Sequence, residues 1–188
     1  MPGDRWLIAG LGNPGPSYAA NRHNAGFLTA DVLAARAGAR FRASKYRAMT
    51  ADARLAGPSA TIIKPLTFMN ESGSPVAGVA GFYRIPAGRV VVIHDELDLP
   101  FGSIRLKLGG GDNGHNGLRS VTARLGSEYY RVRIGIGRPP GRMDPAAYVL
   151  RDFSAAERKE LPLVLERAAD AVEMLLDQGL DAAQKAFH

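Results

Sequence analysis

The 188-residue chain contains no cysteine, which excludes a disulfide scaffold, a thiol nucleophile and any cysteine-ligated zinc or iron–sulfur centre. No apolar run approaches the roughly 18 residues that a membrane-spanning helix needs. The N-terminus places Asp4 and Arg5 ahead of a very short apolar stretch, unlike a targeting segment. The chain therefore reads as soluble and unprocessed, with no membrane partner and with a cytosolic origin permitted. Aromatic residues are sparse at 7%, but hydrophobic residues reach 46%. At this length that composition buries a core without help from disulfides or structural metal.

Negative charge is also in deficit, with 18 Asp+Glu against 24 Lys+Arg and a formal net charge of +6. Residues 1–150 hold 19 cations and 10 anions, whereas residues 151–188 hold 5 and 8, so the body is basic and the tail is not. Of the cations 19 are arginine, whose planar fork suits phosphate oxygens. The balance points to an acidic partner, nucleic acid among the candidates.

Strand and helix patterns alternate along the chain. Short apolar runs at residues 5–10 and 60–64, an alternating run at 103–108 and a fourth at 130–137 predict strands, with a weaker, more exposed strand at 45–55. The run from Arg89 to His94 carries four consecutive apolar residues, as expected of a central strand covered on both faces. Helical spacing occupies 25–38, 70–83 and 115–125. Ser154 with Glu157 makes a capping box that opens a last long helix, stopped by Gly179 and kinked or divided by Pro162. With no repeat or long linker, the expectation is one α/β domain, a mixed twisted sheet with helices on both faces. Its ligand crevice should lie beyond the carboxyl ends of the parallel strands, in the loops 10–23, 65–70 and 95–100.

Gly10-Leu11-Gly12-Asn13-Pro14-Gly15 matches the dinucleotide-binding glycine pattern after a strand. Pro14 and Pro16 remove two N–H donors, however, and the helical pattern waits until about Asn24. The acidic residue that such folds place about 20 positions on is missing. The second glycine cluster, residues 109–117, lacks the Gly-Lys-Ser/Thr of a phosphate loop and reads as a mobile loop or as backbone approached by a ligand. His94-Asp95-Glu96-Leu97-Asp98 could suggest a metal, but neighbouring residues of a strand point to opposite faces and no clustered histidine pair accompanies them. Asp95 suits better the partner that orients a catalytic histidine, and His23, in the adjacent loop, is the candidate base. The alternative is that His23 caps the following helix. His115 is expected to pack within its loop, and His188 supports no inference. Ser72 and Ser74 have no adjacent base, which favours activated water over a serine nucleophile. Asn13, Asn70 and Asn116 sit at the expected crevice, where carboxamides can hold a peptide group or an ester carbonyl.

Six segments and Tyr18 together resemble the bacterial peptidyl-tRNA hydrolase family: GLGNPG (10–15), RHN (22–24), KPLTFMN (64–70), HDELDLP (94–100), LGGGDNGHNGLRS (108–120) and YRVRIGIGRP (130–139). Their order and spacing span nearly the whole chain. The resemblance implies a cytoplasmic, monomeric enzyme, free of metal and of any cofactor, that hydrolyses the ester between a peptide and the 3′-terminal ribose of tRNA. Such an enzyme recycles tRNA from prematurely released peptidyl-tRNA. It implies His23 as catalytic base and Asp95 as its orienting partner. Asn13, Tyr18, Phe68, Asn70 and Asn116 are implied at the substrate, and Lys107 and Arg133 at the 5′-phosphate of the tRNA acceptor stem, with Arg105 at a tRNA-binding position where a basic residue is also common. Asn21 departs from the threonine usual in the family. A non-catalytic RNA-binding module is the rival reading, because some organellar relatives serve intron splicing; the retained His23, Asp95 and asparagines favour the enzyme.

Overall fold

Alternation inside each strand decides how the molecule is layered. In a computed structural model, which describes residues 4–188, strand β1 (Trp6–Gly10) turns Leu7 and Ala9 to one apolar cluster and Ile8 to another. Residues 1–3, part of the N-terminus read above, lie outside the described residues. Strand β5 (Val90–Glu96) does the same, with Val90 and Val92 on one side and Val91 and Ile93 on the other, and all seven of its residues are buried. Two helical layers cover these faces, so the expected two-sided mixed sheet is what forms.

The remaining strands are β2 (Arg42–Ala43), β3 (Ala48–Arg54), β4 (Ser59–Pro65), β6 (Ile104–Leu108) and β7 (Tyr130–Gly135). Among the described residues the seven strands lie in the order β2-β3-β4-β1-β5-β7-β6. Neighbours from β4 to β7 pair in parallel, while β2, β3 and β6 join antiparallel at the margins. One face is covered by α1 (Ala25–Arg36) and α5 (Ala155–Gln178). The buried stripe Val164, Ala168, Ala171, Val172 and Leu175 of α5 follows helical spacing. The other face carries α2 (Gly73–Tyr83) and α3 (Asn116–Leu125) through Val76, Val79, Leu118 and Val121.

Several boundaries differ from the sequence reading. Strand β5 continues through Asp95 and Glu96, which places both carboxylates on rigid backbone rather than in a loop. Residues 69–71 form a separate 3₁₀ turn and α2 starts only at Gly73. Helix α5 runs unbroken through Pro162, so that proline does not divide it. Its stripe of apolar contacts outweighs one missing hydrogen bond. Two short helices were not foreseen, α4 (Pro145–Val149) and α6 (Leu180–Phe187). His188, which supported no inference, accepts the Leu106 N–H at 2.9 Å while Gln184 donates to the Leu106 carbonyl at 3.0 Å. Side chains of the α6 end thereby satisfy the backbone of edge strand β6.

The glycine pattern at 10–15 serves helix packing. A Cβ on Gly10 would run into the Gly26 carbonyl, and one on Gly26 would meet the Ile93 carbonyl. Helix α1 therefore lies directly against the ends of β1 and β5, which carries the loop before it over the strand ends.

Candidate active site

Asp95, at the carboxyl end of β5 and 2% exposed, is gripped by two imidazoles. His23, from a 3₁₀ turn at Arg22–Asn24 just before α1, brings Nδ1 to 2.8 Å from Asp95 Oδ2. His115, the residue preceding α3, brings Nε2 to 2.9 Å from Asp95 Oδ1. Against an ionised carboxylate both nitrogens must donate. His23 is thus left with Nε2 as its free nitrogen, whereas His115 Nδ1 accepts the Leu118 N–H at 3.2 Å. His23 does not cap α1, whose N-cap is Asn24 and lacks a side-chain cap bond. His115 does more than pack in its loop, since it caps α3 and bonds Asp95.

Charge follows from this arrangement. Burial pulls the His23 imidazole down, but the Asp95 charge and hydrogen bond pull it up, and the result lies above the ordinary histidine value of 6.5. Burial pushes Asp95 up, yet His23 and His115 hold it well below the usual carboxylate range. His94, fully enclosed, makes no bond to the Asp95 carboxylate and donates Nδ1–H to the Asp95 carbonyl at 2.7 Å. Burial, with His115 next to it, depresses His94 to about 3.

Spacing in the sequence showed no histidine pair, but the fold creates one: ligand atoms of His23, Asp95 and His115 lie within 4.8 Å of one another. Their N···O separations of 2.8 and 2.9 Å are hydrogen-bond lengths. Two ligands of one ion, each at about 2.1 Å, would stand about 3.4 Å apart in tetrahedral geometry. The trio is built around shared protons.

Around it opens a cavity of about 510 Å³. The three expected loops contribute Asn13 and His23, Phe68 and Asn70, and Leu97, and the 113–116 segment adds Asn116. Asn13 has a defined orientation because its Oδ1 accepts the Met69 N–H at 2.7 Å, which turns its amide NH₂ toward the cavity. Asn24 holds the Asn13 backbone from behind. Asn70 and Asn116 are exposed at the rim. Phe68 is 56% exposed and forms part of the apolar wall with Val149 and Leu150. Tyr18 is not part of the lining and packs edge-on against Phe68, with ring centroids 6.3 Å apart. Neither Ser72 nor Ser74 is activated: the Ser72 hydroxyl is buried and donates to the Met69 carbonyl, and Ser74 receives Arg47.

Arg105, Lys107 and Arg133 lie outside the cavity. Arg105 and Arg133 are directly opposed in the β6–β7 pair, and Lys107 is opposed to Arg131. Burial first, then Arg133 and Arg131, lowers the Lys107 ammonium; burial, with Arg105 and Arg131 adding to it against Glu96, lowers Arg133. Like charges facing across a strand pair are unfavourable unless an anion joins them.

Sequence reasoning missed several parts of this site. Arg131 is fully buried and donates to the carbonyls of Gly110 and Gly111, anchoring the glycine loop that the sequence left as either mobile or approached by a ligand. Asn113 reaches from that loop to Glu96 at 3.0 Å and to Asp98. Helix α4 supplies a wall just after the Gly/Pro stretch 137–142, and its start carries a sequence signal in Asp144 ahead of Pro145, the Asp144 side chain accepting the Ala146 N–H at 3.1 Å. Asn21, the departure noted above, donates to Asp152 at 2.8 Å, while Arg22 N–H bonds the Arg151 carbonyl at 3.0 Å. Both contacts tie the His23 turn to the segment before α5.

A model of the peptidyl-tRNA hydrolase family matches residues 7–188. A peptidyl-tRNA hydrolase of Frankia alni is 64% identical over 184 residues, 97% of this chain and 93% of that protein. One of Streptomyces coelicolor is 57% identical, covering 99% and 96%. The crystal structure of the Acinetobacter baumannii peptidyl-tRNA hydrolase superimposes with a TM-score of 0.92 at 35% identity, covering 98% of this chain and 95% of that one.

Proposed function

The chain belongs to the peptidyl-tRNA hydrolase family and hydrolyses peptidyl-tRNA, and from this premise we propose that His23 activates the attacking water. His23 Nε2 takes a proton from water as the oxygen attacks the ester carbonyl carbon. Asp95, bonded to Nδ1–H, keeps the base in that tautomer and stabilises the imidazolium that forms. The tetrahedral intermediate then expels the ribose oxygen, which recovers the proton from Nε2, and the peptide leaves as a carboxylic acid that gives up water's second proton to solvent.

Asn13 contributes as a donor only, since its Oδ1 is taken by Met69. Its NH₂ serves the developing oxyanion or a peptide carbonyl. Asn70 and Asn116 are free to donate and accept, which suits reading the planar N–H and carbonyl of a blocked α-nitrogen. Free aminoacyl-tRNA lacks that acyl carbonyl and leaves such groups unpaired. Phe68, buttressed by Tyr18, offers an apolar wall to the peptide. Arg105, Lys107 and Arg133 receive phosphates of the acceptor stem, where an anion relieves their mutual repulsion. Every residue in this reading comes from one chain, which suits a monomer working in the cytoplasm, where translation leaves its substrate.

The observation that carries the mechanism is the His23 Nδ1–Asp95 Oδ2 bond of 2.8 Å, with Nε2 left facing the cavity. Hydrolysis of N-acetylated against free aminoacyl-tRNA tests it. The acetylated form is cleaved far faster by the unmodified protein, and His23→Ala loses roughly 10²- to 10⁴-fold in turnover. Near-normal turnover of the variant would place the base elsewhere.

A further inference from the structure

Two histidines bond Asp95 almost identically, yet only one has a nitrogen to spare. We propose that His115 is a positioning residue for the hydrolysis, holding Asp95 in the rotamer and charge state that make His23 the base. The inference rests on the reading of His23 as that base.

The geometry ranks the two imidazoles. Helix α3 aims its Leu118 N–H at His115 Nδ1 over 3.2 Å, which occupies that lone pair and leaves Nε2 as the nitrogen that carries hydrogen. Nε2–H then donates to Asp95 Oδ1 at 2.9 Å. A proton on Nδ1 would set one donor against another, so His115 works as a fixed N–H donor. Its ring is held between two others, 5.0 Å from His23 and 5.0 Å from His94 between centroids. His94 is itself fixed by its bond to the Asp95 backbone. Asp95 thus has each oxygen claimed, and its carboxylate cannot swing away from His23.

The second donor also tempers the site. Part of the Asp95 charge is spent on His115, so less remains to hold a proton on His23. The groups facing His23 are Asp95 from β5 and His115 from α3, with Glu96 and Asp144 lining the same cavity. Removing the His115 donor returns the whole carboxylate to His23, which makes its cation more stable and frees the carboxylate to rotate. Turnover then falls and its acid limb moves to higher pH.

The two nitrogens of His115 can be mimicked one at a time. His115→Asn keeps an acceptor near the Nδ1 position, where it caps α3, but loses the donor to Asp95. His115→Gln keeps a donor near the Nε2 position and loses the cap. Thermal melts and pH profiles of kcat and KM on N-acetylated aminoacyl-tRNA separate the two roles. The expected result is that His115→Asn melts near the parent temperature, with kcat down about tenfold. Its KM changes little and its acid limb shifts upward by about half a pH unit or more. His115→Gln melts lower and recovers several-fold of the kcat that His115→Asn loses. An His115→Asn variant with parental kcat and acid limb overturns the inference, as does equal loss of kcat in both variants. His23→Ala in the same assay keeps the two readings apart: if it retains turnover, the base assignment fails, and if it is inactive while His115→Asn is silent, only the role of His115 fails.

Discussion

Asn13 and Asn24 hold each other through two hydrogen bonds of 2.9 Å: the Asn13 N–H donates to Asn24 Oδ1, and Asn24 Nδ2 donates to the Asn13 carbonyl. The pair freezes the loop after β1, and the Met69 N–H then fixes which end of the Asn13 side chain faces the cavity. Asn24 is 1% exposed, so nothing replaces its bonds once they are broken.

Asn24→Ala should therefore lower stability by about 1–3 kcal/mol and reduce kcat more than it raises KM, because Asn13 loses its aim. Asn24→Asp keeps an acceptor for the Asn13 N–H and should lose less stability than the alanine. Urea melts alongside steady-state kinetics decide this. A kcat unchanged in Asn24→Ala would show that the loop holds itself.

The rate carried by His23 requires its neutral form, and its pKa in the fold lies above 6.5. Activity should rise with pH through a midpoint above that value. Stability runs the other way. A histidine whose folded value is raised stabilises the fold fully below the unfolded value, and that contribution fades as pH rises through the folded one. Paired kcat/KM profiles and melts between about pH 5 and about pH 9 should show opposite slopes in one window. Asp95→Asn should bring the kinetic midpoint down, since the anion that raises it is gone. A midpoint unmoved by that change would break the link.

His94 predicts an acid limit to stability. Its folded value is depressed to about 3 from an ordinary 6.5, so below 6.5 the unfolded chain binds a proton that the folded chain refuses. Stability from this source is complete above the unfolded value. It declines by about 1.4 kcal/mol per pH unit on acidification through the window. His94→Asn can still donate to the Asp95 carbonyl but does not titrate there, so its unfolding free energy should fall less steeply between about pH 6 and about pH 4. Identical slopes for the two proteins would assign the acid loss to other groups.

Lys107 and Arg133 should act on tRNA and not on the ester. Alanine at either position should weaken tRNA binding and reduce the salt slope by about one unit for each phosphate no longer neutralised. Hydrolysis of a minimal substrate without the acceptor stem should be unaffected. An equal loss on that short substrate would mean that the pair shapes the cavity.

Much of the architecture could be read from local pattern. The all-apolar stretch of β5, the alternation of β6 and the Ser154–Glu157 capping box are set by neighbours in the chain, through strand alternation and end capping. The three loops at the strand ends followed from the same logic, and they carried His23, Asn13 and Asn70 into view. What local pattern could not show was anything settled by residues far apart. His115 and Asp95 are separated by 20 positions, and His23 and Asp95 by 72. That two imidazoles meet one carboxylate depends on α1 and α3 both starting at the tip of β5. The same holds for Arg131, which reads as one more surface cation and is buried beneath the glycine loop. Residue types and strand ends follow from short-range sterics and hydrophobic period. Which nitrogen is free, which amide oxygen is taken and which loop is anchored are decided by long-range packing, because a hydrogen bond needs its partner within about 3 Å and only the assembled fold sets that distance.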